Sequence, residues 1–270
     1  MSGDRGAYPL CPEDAKDSRG TNAQLHTILL PSAAAGEYDT SMTVRLADCE
    51  GQRNRANMLL NRMYSWRGYG DGHALPSAPN CVSFTASSQD EVVGTLTLTV
   101  DSSAGLAADR TFADVIAEYR KQPGTRLCEL TRFAFDTSAP ARPRLGALFH
   151  IVFIYGSMHY RCTDLFIEVN PRHRRFYEAM LGFTCVGAPR TNESVNAPAQ
   201  LMWLNVGAIR GLIDKHAGDA RSSGRSLYAH FFSQKEEVGI YGRLAGSMQA
   251  TGEAPAVYGQ GATAYSSLTA

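Results

Sequence analysis

A carboxylate set among apolar neighbours is the first candidate for chemistry in this chain. Glu129 stands in the run Cys128-Glu129-Leu130-Thr131-Arg132-Phe133, with Leu127 before it. Burial in such surroundings disfavours the charged form and raises the pKa, which suits a base that takes a proton near neutrality. The plainer alternative is a strand residue paired with Arg132. In a regular strand, positions 129 and 132 face opposite sides, so the two could share a site only across a β-bulge. A second group is cationic: Arg142, Arg144, Arg161, Arg172, His173, Arg174 and Arg175. Pro171-Arg172-His173-Arg174-Arg175 opening a helix works against the macrodipole, which favours anions there. Such a rim suits the approach of an acidic partner.

Spacing argues against several other chemistries. The chain has no G-x-S-x-G, no H-E-x-x-H and no P-loop lysine motif. Its six cysteines are scattered singly, without the Cys/His spacing of a zinc site, so no metal is expected. Lys plus Arg and Asp plus Glu are 26 each, so no overall field argues for nucleic acid.

The elements that must position these groups follow from periodicity. A strand is expected from Thr40 to Cys49, then a helix from about Glu50 to Trp66 with Ala56, Leu59, Leu60 and Met63 at helical spacing. Cys81–Ala86 and Val92–Val100 flank the polar turn Ser87-Ser88-Gln89-Asp90, a hairpin signal. A helix from about Phe112 to Lys121 stops at Pro123-Gly124. The strand Thr125–Phe135 carries Glu129, and a Pro/Arg loop from Ala139 to Arg144 leads to an apolar helix, Leu145–Tyr160. Asp164–Val169 reads as a buried strand. Asn170-Pro171 then starts a helix carrying Phe176, Tyr177, Met180 and Leu181, which Gly182 closes. Phe183–Val186 and Leu201–Val206 are the last strands, with a loop at 187–198 between them. A helix to about His216 and another around Leu227–Leu244 follow. This order implies an α/β (α+β) protein: a mixed, mostly antiparallel sheet with helices on both faces.

Composition divides the chain further. Residues 1–36 read as a flexible arm and linker, 37–218 as the main domain, 219–249 as a helical extension packed on it, and 250–270 as a disordered tail. Unpaired cysteines and the lack of a secretory signal point to the cytoplasm. The most apolar run, Leu145–Tyr160, is under 18 residues and contains His150 and His159, so no membrane span is expected.

Two stretches carry a family resemblance. Val169-Asn170-Pro171 through Phe176-Tyr177-Glu178-Ala179-Met180-Leu181-Gly182-Phe183 resembles the closing strand–helix–strand of GNAT acyltransferases. Cys128–Asp136, CELTRFAFD, resembles the Glu-Leu-Ser-Arg-Phe strand of acyl-homoserine-lactone synthases, a GNAT branch that takes acyl chains from acyl carrier protein. With Gly94-Thr95-Leu96-Thr97-Leu98, the resemblance covers roughly Thr40–Val206. Within that branch the chain looks most like bacterial N-acyl amino acid synthases, including Gly105–Arg120 and Phe231–Arg243.

The resemblance implies a GNAT fold whose sheet contains a splayed parallel pair, and transfer of a long acyl chain from a thioester to an amino acid amine. Glu129 would be the base and Tyr177 the general acid for the departing thiolate. A bulge on the Glu129 strand would free an N–H for the oxyanion, with Phe133 beside it, and Arg132 would pair with Glu129 or grip the acceptor's carboxylate. From residue type alone, Arg62, Tyr64 and Trp66 at the end of the first helix suit an acceptor pocket, while Tyr64 and Trp66 could equally line the acyl tunnel or simply pack. The loop Arg142-Pro143-Arg144-Leu145-Gly146-Ala147 departs from the pyrophosphate-binding pattern of coenzyme A users, since Pro143 lacks an N–H. A carrier protein is therefore the expected donor. It would be held at Arg142, Arg144, Gly146, Asn170, Arg172, Arg174 and Arg175, and its acyl-phosphopantetheine would be the only cofactor, with none bound permanently. Two rivals stand beside this reading. One is an acyl-homoserine-lactone synthase using S-adenosylmethionine, though Leu59 replaces an aromatic of that family's pattern beside Arg55 and Trp66. The other is a catalytically silent carrier-binding module, which would gain if Glu129 were buried, fully paired and without a tunnel beside it.

Overall fold

The computed structural model describes residues 24–28, 42–136, 141–218 and 224–251. Its strands are β1 (Gln24–Ile28), β2 (Met42–Leu46), β3 (Cys81–Ser88), β4 (Glu91–Val100), β5 (Leu127–Phe135), β6 (Asp164–Val169), β7 (Thr184–Cys185), β8 (Arg190–Asn192) and β9 (Ala197–Asn205). They lie in the order β1-β2-β3-β4-β5-β6-β9-β7, with β8 paired to β9. All neighbours are antiparallel except β5 and β6. The helices are α1 (Glu50–Ser65), α2 (Asp109–Arg120), α3 (Ala141–Ile154), α4 (Arg174–Leu181), α5 (Val206–His216) and α6 (Gln234–Thr251).

Alternation in β4 explains how one sheet serves two cores. Leu96 and Leu98 join the larger cluster with Leu148, Ile151 and Ile154 of α3, Ile209 and Ile213 of α5, and Ile240 and Leu244 of α6. Thr95, Thr97 and Thr99 point the other way and are also buried. Their face is roofed by α1, with Ala56, Leu59 and Leu60, and by α2, with Phe112 and Ile116. Hydroxyls on this face find partners: Ser83 Oγ and Thr97 Oγ1 lie 2.7 Å apart, and Thr85 donates to Gln52 of α1 at 3.3 Å. Truncating a core leucine such as Leu148 to alanine would cost about 2–5 kcal/mol.

The parallel pair is short. Leu127, Cys128 and Glu129 pair with Asp164, Leu165 and Phe166, and no residue beyond them does. From there β5 stays with β4 and β6 stays with β9, so the sheet forks just past Glu129.

Several expectations need correction. The segment taken as an arm holds β1, paired with β2 at the sheet edge; residues 1–23 and 29–41, with the linker Ala33–Gly36, lie outside the described residues. Arg142, Pro143 and Arg144 belong not to a loop but to the first turn of α3. Proline is tolerated there because first-turn N–H groups have no intrahelical acceptor. The apolar helix ends at Ile154 and continues as a π-turn, Tyr155–His159. The 187–198 loop contains β8, which Arg190–Asp114 and Asn192–Glu168 bonds tie to α2 and β6. The final helix is a 3-10 turn, Tyr228–His230, followed by α6, and the tail past Thr251 is outside the described residues.

Candidate active site

Glu129 sits at the crotch of the fork. It is 1% exposed and points to the α2 face. Its Oε2 accepts the N–H groups of Ala107 (2.7 Å) and Ala108 (3.3 Å), at the entrance to α2. Burial pushes its pKa up to about 8 against the pull of those amides, and the nearby Glu168 and Asp109 add to the rise. Carboxylates favoured by two N–H donors ordinarily acidify, so here desolvation wins.

The amide cradle has its own supports. Asp109 Oδ2 accepts the Leu106 N–H at 2.7 Å, and Arg120 bridges Asp109 and Asp101 with four contacts of 2.6–2.8 Å. Gly105 turns the loop at φ +73°, and a Cβ there would lie 2.7 Å from Asp109 Oδ2. The stretch Gly105–Arg120 thus carries the geometry that holds Glu129 in place.

β5 carries a bulge, but at positions 132 and 133 rather than between 129 and 132. Thr131 pairs with Thr97 and Ala134 with Thr95, so Arg132 and Phe133 together oppose Leu96. Arg132 takes φ +52°, an uncommon conformation for a long side chain. The extra residue inverts the faces beyond it. Cys128 and Leu130 face the α3 side before the bulge, whereas Phe133 (ring 5.3 Å from Phe149 of α3) and Phe135 do so after it. Ala134 turns to α1.

On the α3 side of the fork lies an apolar cavity that opens to solvent. Cys128, Leu130 and Leu165 line it at the fork, Phe149 and Gly156 line it from α3 and its π-turn, and Ile209, Tyr228 and Phe231 line it from the C-terminal elements. A hydrogen bond to Cys162, together with burial, raises the Cys128 thiol, so it is a wall group rather than a nucleophile. The carboxylate and the cavity therefore occupy opposite faces of one strand and meet only through the fork.

Tyr177 of α4 stands beside the fork, edge-on to Phe176 and Phe183 at 5.1 and 6.0 Å. Burial raises its pKa, with Tyr64 adding to the rise and Arg67 opposing it. Tyr64 of α1 is also raised by burial, against Arg132 and Arg67. Its hydroxyl donates to the bulge carbonyl of Phe133 at 3.3 Å, and its ring meets His73 at 4.8 Å and Tyr69 at 6.0 Å. Tyr64, Tyr177, Phe133 and Arg132 are thus brought together, and Arg67 joins them.

Other expected site residues fall elsewhere. Arg132 does not pair with Glu129 among the described contacts; its Nε donates to the Ala74 carbonyl at 2.9 Å. Arg62 is bound to Asp136 at 3.0 Å on the surface. Trp66 is 83% exposed and lines nothing, because α1 ends with its ring turned to solvent. Arg144 is buried at 6% exposure, so it is not a rim residue, while Arg142 is exposed. Gly146 is required by packing: a Cβ there would lie 2.8 Å from His230 Cβ. Asn170 caps its turn by accepting the Arg172 N–H at 3.2 Å. Arg172 donates to Tyr69 Oη at 3.1 Å, and Arg174 pairs with Glu178 at 3.2 Å, leaving both at the surface with exposed Arg175.

A family model described as N-acyl amino acid synthase FeeM matches residues 55–205, just over half of the chain. Among solved structures the chain is similar to that of FeeM, an N-acyl amino acid synthase from uncultured soil microbes, at 27% identity and a TM-score of 0.54, covering 63% of this chain and 93% of that one. It is also similar to the AHL synthase LasI, at 12% identity and 0.44, covering 62% and 91%. An N-acetyltransferase from Staphylococcus aureus Mu50 aligns at 10% identity and 0.40, covering 61% and 97%. A sequence comparison with curated proteins returned no match.

Proposed function

This chain belongs to the N-acyl amino acid synthase FeeM family and is an acyltransferase of GNAT fold, and from that premise we propose that it moves a long acyl chain from an acyl carrier protein thioester to the amine of an amino acid. The observation that carries the reading is the arrangement at the fork. A carboxylate of raised pKa lies on one face of β5, and an apolar cavity opens on the other.

The donor's pantetheine arm enters between the diverging strands, and its acyl tail passes into the cavity. The amine approaches from the α1–α2 face and attacks the thioester carbon, forming the C–N bond. Glu129 takes the proton the nitrogen loses, directly or through water. The oxyanion meets backbone N–H at the Arg132–Phe133 bulge, where ladder pairing is interrupted. The C–S bond then breaks, and Tyr177 protonates the departing thiolate; its raised pKa keeps the phenol protonated until that moment. Tyr64 and Arg132 border the acceptor, and Arg67 offers a guanidinium to its carboxylate. The exposed cations Arg142, Arg172, Arg174 and Arg175 steer an acidic carrier toward the fork.

Lipid mass spectrometry of a bacterial host expressing the chain tests the reaction, with carrier-bound and coenzyme A thioesters compared on purified protein. Accumulated N-acyl amino acids and preference for the carrier thioester are expected. Acyl lactones, or unchanged lipids with intact carrier binding, would replace the proposal by another reaction or by a silent module.

A further inference from the structure

Part of the cavity lining comes from residues beyond the family-matched span. The match stops at residue 205, whereas Ile209, Tyr228 and Phe231 lie past it and line the cavity. Their segment is firmly held. Tyr228 donates to the Leu181 carbonyl at 2.7 Å, and the Leu227 N–H donates to Met180 at 2.8 Å. His150 of α3, with no exposure, stacks on Phe231 at 4.5 Å and on Phe232 at 5.1 Å. Its Nδ1 accepts the Phe232 N–H at 2.8 Å, which sets the tautomer, so Nε2–H donates to Glu237 of α6 at 2.8 Å. Arg210 of α5 clamps the same carboxylate at 2.6 and 3.0 Å. Close approach of Gly146 to His230 leaves this segment no room to shift toward α3.

We propose that Tyr228 and Phe231 form the end wall of the acyl cavity and that this wall, pinned by His150, Glu237 and Arg210, sets the longest acyl chain the enzyme accepts. The inference rests on the reading of the cavity as the acyl site. A wall held by buried hydrogen bonds on three helices cannot retreat to admit another methylene, so a chain one carbon too long must force side chains off their rotamers. Turnover then falls about tenfold per carbon past the limit, rather than tapering.

The test uses the full-length protein and a graded series of saturated fatty acids, which displace a fluorescent fatty acid, with the matching carrier thioesters assayed for turnover. Phe231→Ala should move the cut-off to chains about two to four carbons longer, as expected for the volume its ring vacates, and Phe231→Leu should move it by less. Circular dichroism checks that each variant is folded, and the milder leucine variant keeps the test open should the alanine variant unfold. An unchanged cut-off in a folded variant overturns the wall while leaving the acyl site standing. Failure of every chain length to displace the probe from the wild type removes the acyl reading of the cavity, and the wall with it.

Discussion

Glu129 is held by two competing influences, and their balance sets its chemistry. Two amides favour its ionised form, and near-complete burial opposes it more strongly, leaving a pKa of about 8. As a base it works only when ionised, so kcat/KM should rise with pH through about 8; a flat profile from pH 6 to 9 would remove it from proton transfer. Glu129→Gln should lower kcat about 100-fold or more with donor binding intact, read by single-turnover assay and carrier titration. The same shift bears on stability. Between the ordinary carboxylate value and about 8, the folded protein holds a proton that the unfolded chain has released. Wild-type stability therefore falls as pH rises across that window, and Glu129→Gln should flatten the slope in denaturant titrations. Arg132 illustrates the opposite lesson. Spacing put it on the opposite face from Glu129, with an ion pair expected only across a bulge between them; the bulge lies at Arg132 itself, whose Nε donates to the Ala74 carbonyl.

At the scale of elements, the loop into α2 and the pinned C-terminal segment matter most. Asp109 touches neither Glu129 nor the cavity, yet its bonds to Leu106 N–H and Arg120 hold the amides that Glu129 accepts. Asp109→Ala should lower kcat about tenfold, with KM for the donor little changed, because a misplaced cradle misplaces the base. On the Glu129 pKa the two consequences oppose: loss of amide bonds makes the carboxylate harder to ionise, and removal of the nearby Asp109 charge makes it easier. Gly146→Ala should destabilise the fold by about 1–3 kcal/mol in urea unfolding, because the added methyl meets His230. His150→Ala removes two buried hydrogen bonds and two stacked ring contacts at a cost of about 2–4 kcal/mol. Burial lowers the pKa of His150, so the folded state resists a proton that the unfolded chain takes up near pH 6.5. The wild type thus loses stability as pH falls below 6.5, and the gap to His150→Ala should narrow there.

Over the whole molecule, equal numbers of acidic and basic residues hide an uneven layout, with Arg172, Arg174 and Arg175 gathered on the turn and helix that follow β6. If a carrier protein docks there, kcat/KM for the carrier thioester should fall steeply with added salt, and that for a small acyl-pantetheine should not. Much of this architecture was legible beforehand. Period-two alternation in β4, helical spacing of Ala56, Leu59 and Leu60, and the Asn170-Pro171 and Gly182 boundaries are local signals, and the elements they imply are present. The motif CELTRF marked Glu129, and the family resemblance implied a bulge on its strand, which the register shows at positions 132 and 133. Local pattern did not reveal β1 or β8, because β1 is a short strand at the sheet edge and β8, the three-residue arm of a hairpin with β9, is too short to show alternation. It also placed Trp66 and Arg144 wrongly, since aromatic or charged character does not say whether a side chain ends in solvent or in the core. Residue type and spacing determined which groups could do chemistry and the order of the elements that carry them. Which groups meet was decided only by tertiary structure: the amides that grip Glu129 lie more than twenty residues before it, and Tyr228 and Phe231, which line the cavity, lie about a hundred after. Their cooperation depends on strands that part and helices that pack, which no local pattern encodes.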